Sequence, residues 1–246
     1  MARIDNLLAT GLKTLGAKPA DTESREKKQY YSQRVSEVFA QAMAEELRQR
    51  GLDGARPAPP GVLGASGAER RMAGGLGPKR VDVSWATEES GLLVAISVKT
   101  INFRDNRSGN YQKNLTNRRT DMLFESVTLH RRFPFAVLAG FLVFDQGAAR
   151  DHTKTRHSTF DNAHQRLRLF SGRDDPAGRD EQYESIYIVL LDANQFQPGV
   201  QTYRVGEPSK PVPLTGVFDE MMELVVTRNP DFYEVDNNGS LVRVRS

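Results

Sequence analysis

Three side chains between Val81 and Thr100, in VDVSWATEESGLLVAISVKT, are of the types that handle a cation and a phosphate: Asp82, Ser97 and Lys99. The stretch reads as two strands joined by a tight turn. Asp82 stands near the start of the first strand, and Ser97 and Lys99 close the second. Alternation sends Leu92, Val94, Ile96 and Val98 to one face and Leu93, Ala95, Ser97 and Lys99 to the other. The expectation is that Asp82 and Lys99 converge at the strand ends on a divalent metal and a phosphate. Phosphodiester hydrolysis needs a cation that neutralises developing charge and lowers the pKa of a water. Carboxylates hold such an ion. A nearby ammonium stabilises the pentavalent centre or helps to deprotonate the water.

The elements around this hairpin decide what can reach it. Residues 1–28 read as a charged leader with a short helix over 4–15. Residues 29–50 carry Val35, Val38, Phe39, Ala42, Met43 and Leu47 at helical spacing, with Gly51 where a C-cap belongs. Glu37 lies on this helix. Residues 51–78 are dense in Gly, Pro and Ala, as a loop or hinge enclosing one short strand would be. That loop is either a tether or an arm that brings Glu69 to the site. A second helix over 116–132 has apolar coverage from Met122, Leu123, Phe124, Val127 and Leu129, with Asp121, Glu125, Thr128 and Arg132 as its polar stripe. Two apolar runs, 133–145 and 184–192, suit strands buried on both faces. A helix follows each: one after a Ser158 or Thr159 cap, one capped at Thr215 beyond a short strand, VQTYRVG. FYEV and LVRV close the chain as a hairpin about Asn237–Asn238–Gly239. The order predicts an α/β or α+β fold with a mixed central sheet flanked by helices. It forms a single domain over 29–246, of which 146–246 extends the sheet.

This arrangement resembles the PD-(D/E)XK superfamily of restriction-endonuclease-like nucleases. The shared features are a helix, an Asp on one strand, a triplet ending in Lys on the next, then a helix and a buried strand. The resemblance covers roughly 29–145. It implies that Asp82 binds Mg²⁺ and that Lys99 orients or activates the attacking water. The chain departs from the family pattern in two places: Val81 stands where a proline is common, and the triplet is Ser97–Val98–Lys99, with no second acid. Serine is a weak Mg²⁺ ligand, because a hard dication takes anionic oxygen. A subgroup of type II restriction enzymes carries Ser–x–Lys and draws the missing Glu from the following helix. By that likeness Glu125 completes the metal site, with Asp121 as the fallback and Glu69 or Glu37 as a further acid.

The resemblance therefore implies a Mg²⁺-dependent DNA endonuclease of bacterial restriction or defence type, acting on double-stranded DNA and paired as a homodimer by the symmetry of palindromic sites. Two rivals stand beside it: a DNA-binding or scaffold protein whose site Ser97 has spoiled, and a junction or repair nuclease. The loop after the hairpin and the second helix supply Arg104, Arg107, Asn110, Gln112, Lys113, Arg118, Arg119, Arg131 and Arg132 as the expected DNA contacts. The net charge of +3 is small, so any attraction for a polyanion must come from how these residues are placed. The absence of cysteine excludes disulfides, thiolate metal sites and cysteine nucleophiles. No apolar run has the length of a membrane span, and the expected compartment is the cytoplasm. No H-E-x-x-H, G-x-S-x-G or P-loop is present.

Overall fold

Runs that are apolar at almost every position are stable only where both faces are covered. Two such runs became adjacent parallel strands at the centre of the protein. The computed structural model describes residues 3–59, 61, 70–194 and 196–244. In chain order these form α1 (Arg3–Lys13), α2 (Arg25–Gln49), β1 (Arg70–Gly74), β2 (Gly77–Val81), β3 (Val83–Thr87), β4 (Gly91–Ile101), α3 (Leu115–His130), β5 (Val137–Asp145), α4 (Thr159–Leu167), β6 (Ser185–Asp192), β7 (Gly199–Arg204), α5 (Leu214–Arg228), β8 (Tyr233–Val235) and β9 (Leu241–Arg243).

The main sheet has the order β3-β4-β5-β6-β7. β4, β5 and β6 run parallel, and β3 and β7 flank them antiparallel. One face is covered by α1, α2 and α5, whose Leu8, Phe39, Met43, Phe218 and Met222 join Val94, Ile96 and Val98 in one core. On the other face, Leu115, Met122 and Leu129 of α3 and Phe160 and Leu167 of α4 meet Leu138, Leu142 and Ile188. The result is a three-layer α/β protein with a mixed five-stranded sheet. Among the described residues, no helix is long and apolar enough to cross a membrane.

Several details differ from the sequence reading, each for a local reason. The segment read as a leader carries α1, and its Ile4, Leu8 and Leu12 are buried in the core. α2 begins at Arg25, because the Ser24 hydroxyl accepts from the Lys27 amide (3.3 Å) and caps it. The charged run there is its first turn. The loop read over 51–78 holds all of β1 and the start of β2, which together make a hairpin. Register slips between Trp85 and Ala86, so Leu93 is an extra residue on β4. This bulge swaps the expected faces of Leu92 and Leu93: Leu93 packs with Val94 and Ile96, and Leu92 with Ala95. α5 starts directly after Pro213 with no side-chain cap, so Thr215 is inside the helix. Phe124, read as core, is half exposed on the outer side of α3. Gly51 ends α2 at φ +90°, where a Cβ would sit 2.3 Å from the Leu241 carbonyl oxygen. That contact seats the terminal hairpin on the end of α2.

His164 gives the fold one pH-dependent element. It is buried in α4, and its Nδ1 accepts from the Gly206 amide (3.1 Å). Burial pushes its pKa down to about 4. A depressed histidine stabilises the fold fully above the unfolded value near 6.5 and loses that contribution as pH falls toward 4. Between pH 7 and 5 this one group is expected to remove about 2 kcal/mol. His164→Gln, which keeps an acceptor for Gly206, should abolish that share of the pH dependence in urea denaturation.

Candidate active site

Asp82 occupies the single-residue break between β2 and β3, and its neighbours explain why the chain pauses there. The tip of the β1–β2 hairpin is pressed onto α3. Gly75 N donates to the Thr128 carbonyl (2.8 Å), and a Cβ on Gly74 would lie 2.2 Å from Thr128 Cγ2. Beyond Asp82 the chain turns into β3, which pairs from Val83 opposite Ile96. The Val98 amide is thereby left without a strand partner on that side, and Asp82 Oδ2 accepts from it at 2.6 Å. The carboxylate is pinned to the end of the strand that carries Lys99.

Lys99 reaches two carboxylates. Its Nζ lies 3.1 Å from Asp82 Oδ2 and 3.3 Å from Glu125 Oε2. Glu125 projects from α3 toward the sheet and is 1 % exposed, so the stripe that held both acids in the sequence reading is split. Asp121 faces solvent and pairs with Arg118 (3.6 Å). Burial works to lower the Lys99 pKa, but Glu125 and Asp82 outweigh it and hold the ammonium above the ordinary lysine range. Lys99 is therefore a fixed cation here. Ser97, two residues earlier on the same face, is buried. Tyr183, which the sequence reading missed, is fully buried beside this group. Its hydroxyl donates to the Met122 carbonyl (3.1 Å), and burial, then the Glu125 charge, raise its pKa well above the usual tyrosine value. It stays a neutral donor that holds α3 in register behind Glu125. Its only sequence signal is a lone aromatic before a buried strand.

The Asp82–Lys99 pair opens on a cleft of about 510 Å³ between the end of β4 and α2. Glu37 stands on its α2 wall, exposed, with Gln33 donating to it (3.0 Å). Arg80 and Arg118 also line it. Arg104 and Lys113 line a neighbouring groove. Arg107 is exposed on the loop, while Asn110 is spent on its own turn: its Oδ1 accepts from the Gln112 amide (3.0 Å). Gln112 is half buried, with Nε2 lacking a partner. The remaining arginines go elsewhere. Arg119 lies over Phe170, Arg131 faces Asp180 (3.5 Å) and Arg132 lies over Phe133. Phe133 abuts Gly91, at the far end of β4 from Lys99, about 26 Å away by strand rise. Glu69 lies outside the described residues.

The donor set fits a hard dication only in a restricted sense. Among the described residues no group of three or more His, Asp or Glu side chains is placed to hold a metal. Asp82 Oδ2 and Glu125 Oε2 both face one ammonium, at 3.1 and 3.3 Å, so the two carboxylates border the same small space. Mg²⁺ keeps several waters and takes one or two carboxylates plus substrate phosphate, so two acids suit it where they would not suit an all-protein cage. No family model, no curated protein and no solved structure matches this chain.

Proposed function

We propose that the protein is a Mg²⁺-dependent endonuclease hydrolysing DNA phosphodiester bonds, with a restriction-endonuclease-like core and a role in bacterial restriction or defence. One observation carries the reading: two carboxylates from different elements, Asp82 and Glu125, meet a single ammonium near a strand end that opens on a cleft. Asp82 and Glu125 are the residues that would hold Mg²⁺, which when bound supplies charge neutralisation and a more acidic water. Val98 fixes Asp82 through its amide, so the carboxylate is already oriented. Lys99 stays protonated and acts as a cation toward the phosphate, not as a base. Arg118 and Arg80, on the rim, draw the phosphate backbone in. Ser97, in the place of the usual acid, contributes no charge, and this is why Glu125 is needed. On a palindromic target the same reading makes the protein a homodimer.

Supercoiled plasmid incubated with Mg²⁺ or Mn²⁺ tests this directly. Wild type is expected to nick or linearise it, EDTA to stop the reaction, and Asp82→Ala to remove it. Protein that shifts DNA but never cuts it with either ion is instead a binding or scaffold protein. Faster cutting of branched than of linear duplex would make it a junction or repair nuclease.

A further inference from the structure

Next to the cleft lies a second groove of about 590 Å³, walled by the first turns of α2 on one side and by loop 102–114 on the other. The two depressions share Gln29, Ser32, Thr100 and Arg118, so they form one continuous path. The charge of the second is one-sided: Arg25, Lys28, Arg104, Lys113 and Arg118 against Asp105 alone. Asp105 is moreover tied to Lys113 (2.5 Å) and to the Ser108 hydroxyl (3.1 Å). Its floor holds unused hydrogen-bonding capacity. Asn102 is 2 % exposed; its Nδ2 donates to Ser32 Oγ (3.4 Å), and its Oδ1 has no partner. Arg118 Nε is likewise buried without a partner. Buried polar atoms are normally satisfied, so such atoms lining an open groove point to a ligand.

The loop that forms the wall is held in place before any ligand arrives. Tyr111 N donates to Asp151 (3.0 Å), and the Tyr111 hydroxyl donates to Asp145 (2.8 Å). Lys18 also donates to Asp145 (2.7 Å), and Arg104 N donates to Asp21 (3.1 Å). The Arg104 guanidinium lies over the Tyr111 ring, 5.6 Å from its centroid. A preset wall keeps the entropy cost of binding low.

We propose that this groove is the track for the DNA strand flanking the scissile phosphate, with Arg25, Lys28 and Arg104 on its phosphates and Asn102 accepting from a base amino group. The assignment rests on the endonuclease reading of the adjacent cleft. A simple anion would use the cations and leave the Asn102 acceptor idle, whereas adenine and cytosine carry amino donors. None of this involves Arg131 and Arg132, at the other end of α3. Arg25 and Lys28 lie in the first turn of α2, which the sequence reading assigned to the charged leader.

The test measures binding apart from cutting. A mixed-sequence duplex longer than two helical turns is titrated by anisotropy in Ca²⁺ over a range of salt. For Arg25→Ala/Lys28→Ala the slope of log affinity against log salt is expected to fall by about 1.8, or 0.9 for each phosphate no longer neutralised. In the plasmid assay KM should rise with kcat kept. Arg25→Ala alone should show about half of that change in slope, which covers a double variant that folds poorly. Arg131→Ala/Arg132→Ala should bind as wild type. An unchanged slope in the α2 variants, or an equal fall in the α3 pair, overturns the groove even where wild type cuts DNA. A slope that falls as expected in a protein whose wild type never cuts keeps the groove and removes the hydrolase.

Discussion

Lys99→Met protein is expected to lose metal-dependent cleavage by a factor of about 10²–10³, the scale of removing one preorganised charge from a reacting centre. The same change should make its stability respond to divalent ions more strongly than that of wild type. Lys99 now neutralises Asp82 and Glu125, and Glu125 is almost wholly buried. Without the ammonium, two carboxylates face each other with no counter-charge, which costs about 3–5 kcal/mol for a buried pair that loses one partner. In a chain of this length that is roughly 6–12 °C in melting temperature. A dication entering the same space restores the missing charge, so millimolar Mg²⁺ should recover much of the loss. In wild type the ammonium already balances much of that charge, so the ion should shift melting little. Calorimetry with and without Mg²⁺ reads this without any DNA. A Lys99→Met protein that melts like wild type and ignores Mg²⁺ would mean that the three side chains do not form a common charge site.

How far this site was legible follows from particular residues. Asp82 and Lys99 were readable because strand alternation is strict near the end of β4, past the bulge. Glu125 was picked for its element, but its burial was not visible: at 3.6 residues per turn, positions 118, 121 and 125 fall within about 60° of one another, so spacing does not say which of them meets the sheet. The arginines defeated the sequence reading for the same reason. α3 is long enough to place Arg118 at the cleft and Arg131 at the opposite end of the sheet, and charge density along a sequence carries no such direction. The α2 wall left a faint trace, in that Gln29, Ser32, Gln33 and Ser36 run as a polar stripe beside the apolar Tyr31, Val35 and Phe39. The bulge at Leu93 left none, because either of two leucines can be the extra residue. Strand and helix identities were clear where periodicity was long. Caps and hairpins in the Gly-rich 51–78 stretch depend on contacts with distant segments, as Gly74 does with Thr128.

A stability effect of the same size should come from a residue far from the cleft. Glu184, just before β6, is buried and met by Arg228 (2.7 Å), Arg173 (3.3 Å) and His130 (3.4 Å), while its other oxygen accepts from the Leu138 amide at 2.6 Å. Ser126 Oγ lies 3.2 Å from His130 Nδ1, so Ser126, His130 and Glu184 line up like a hydrolase triad. Ser126 is wholly buried, and its hydroxyl contacts the carbonyls of Asp180 (2.8 Å) and Gln182 (3.1 Å), so no substrate reaches it. The cluster instead joins α3, β6, α5 and the 171–173 segment through one carboxylate. Glu184→Gln leaves two buried guanidinium groups without their anion and should cost about 3–5 kcal/mol. Burial pushes the Glu184 carboxyl up, but the His130 contact and the Arg228 charge outweigh it and hold it below the usual range. A depressed carboxylate stabilises the fold above its unfolded pKa, near 4.3, and loses that contribution as pH falls through the folded value. The gap between wild type and Glu184→Gln should therefore be widest above about pH 5 and shrink as the medium is acidified. Urea titrations of both proteins across that window would show it. A gap that stays constant as pH falls would mean that Glu184 carries no charge in the folded protein, and that the arginines are balanced by something else.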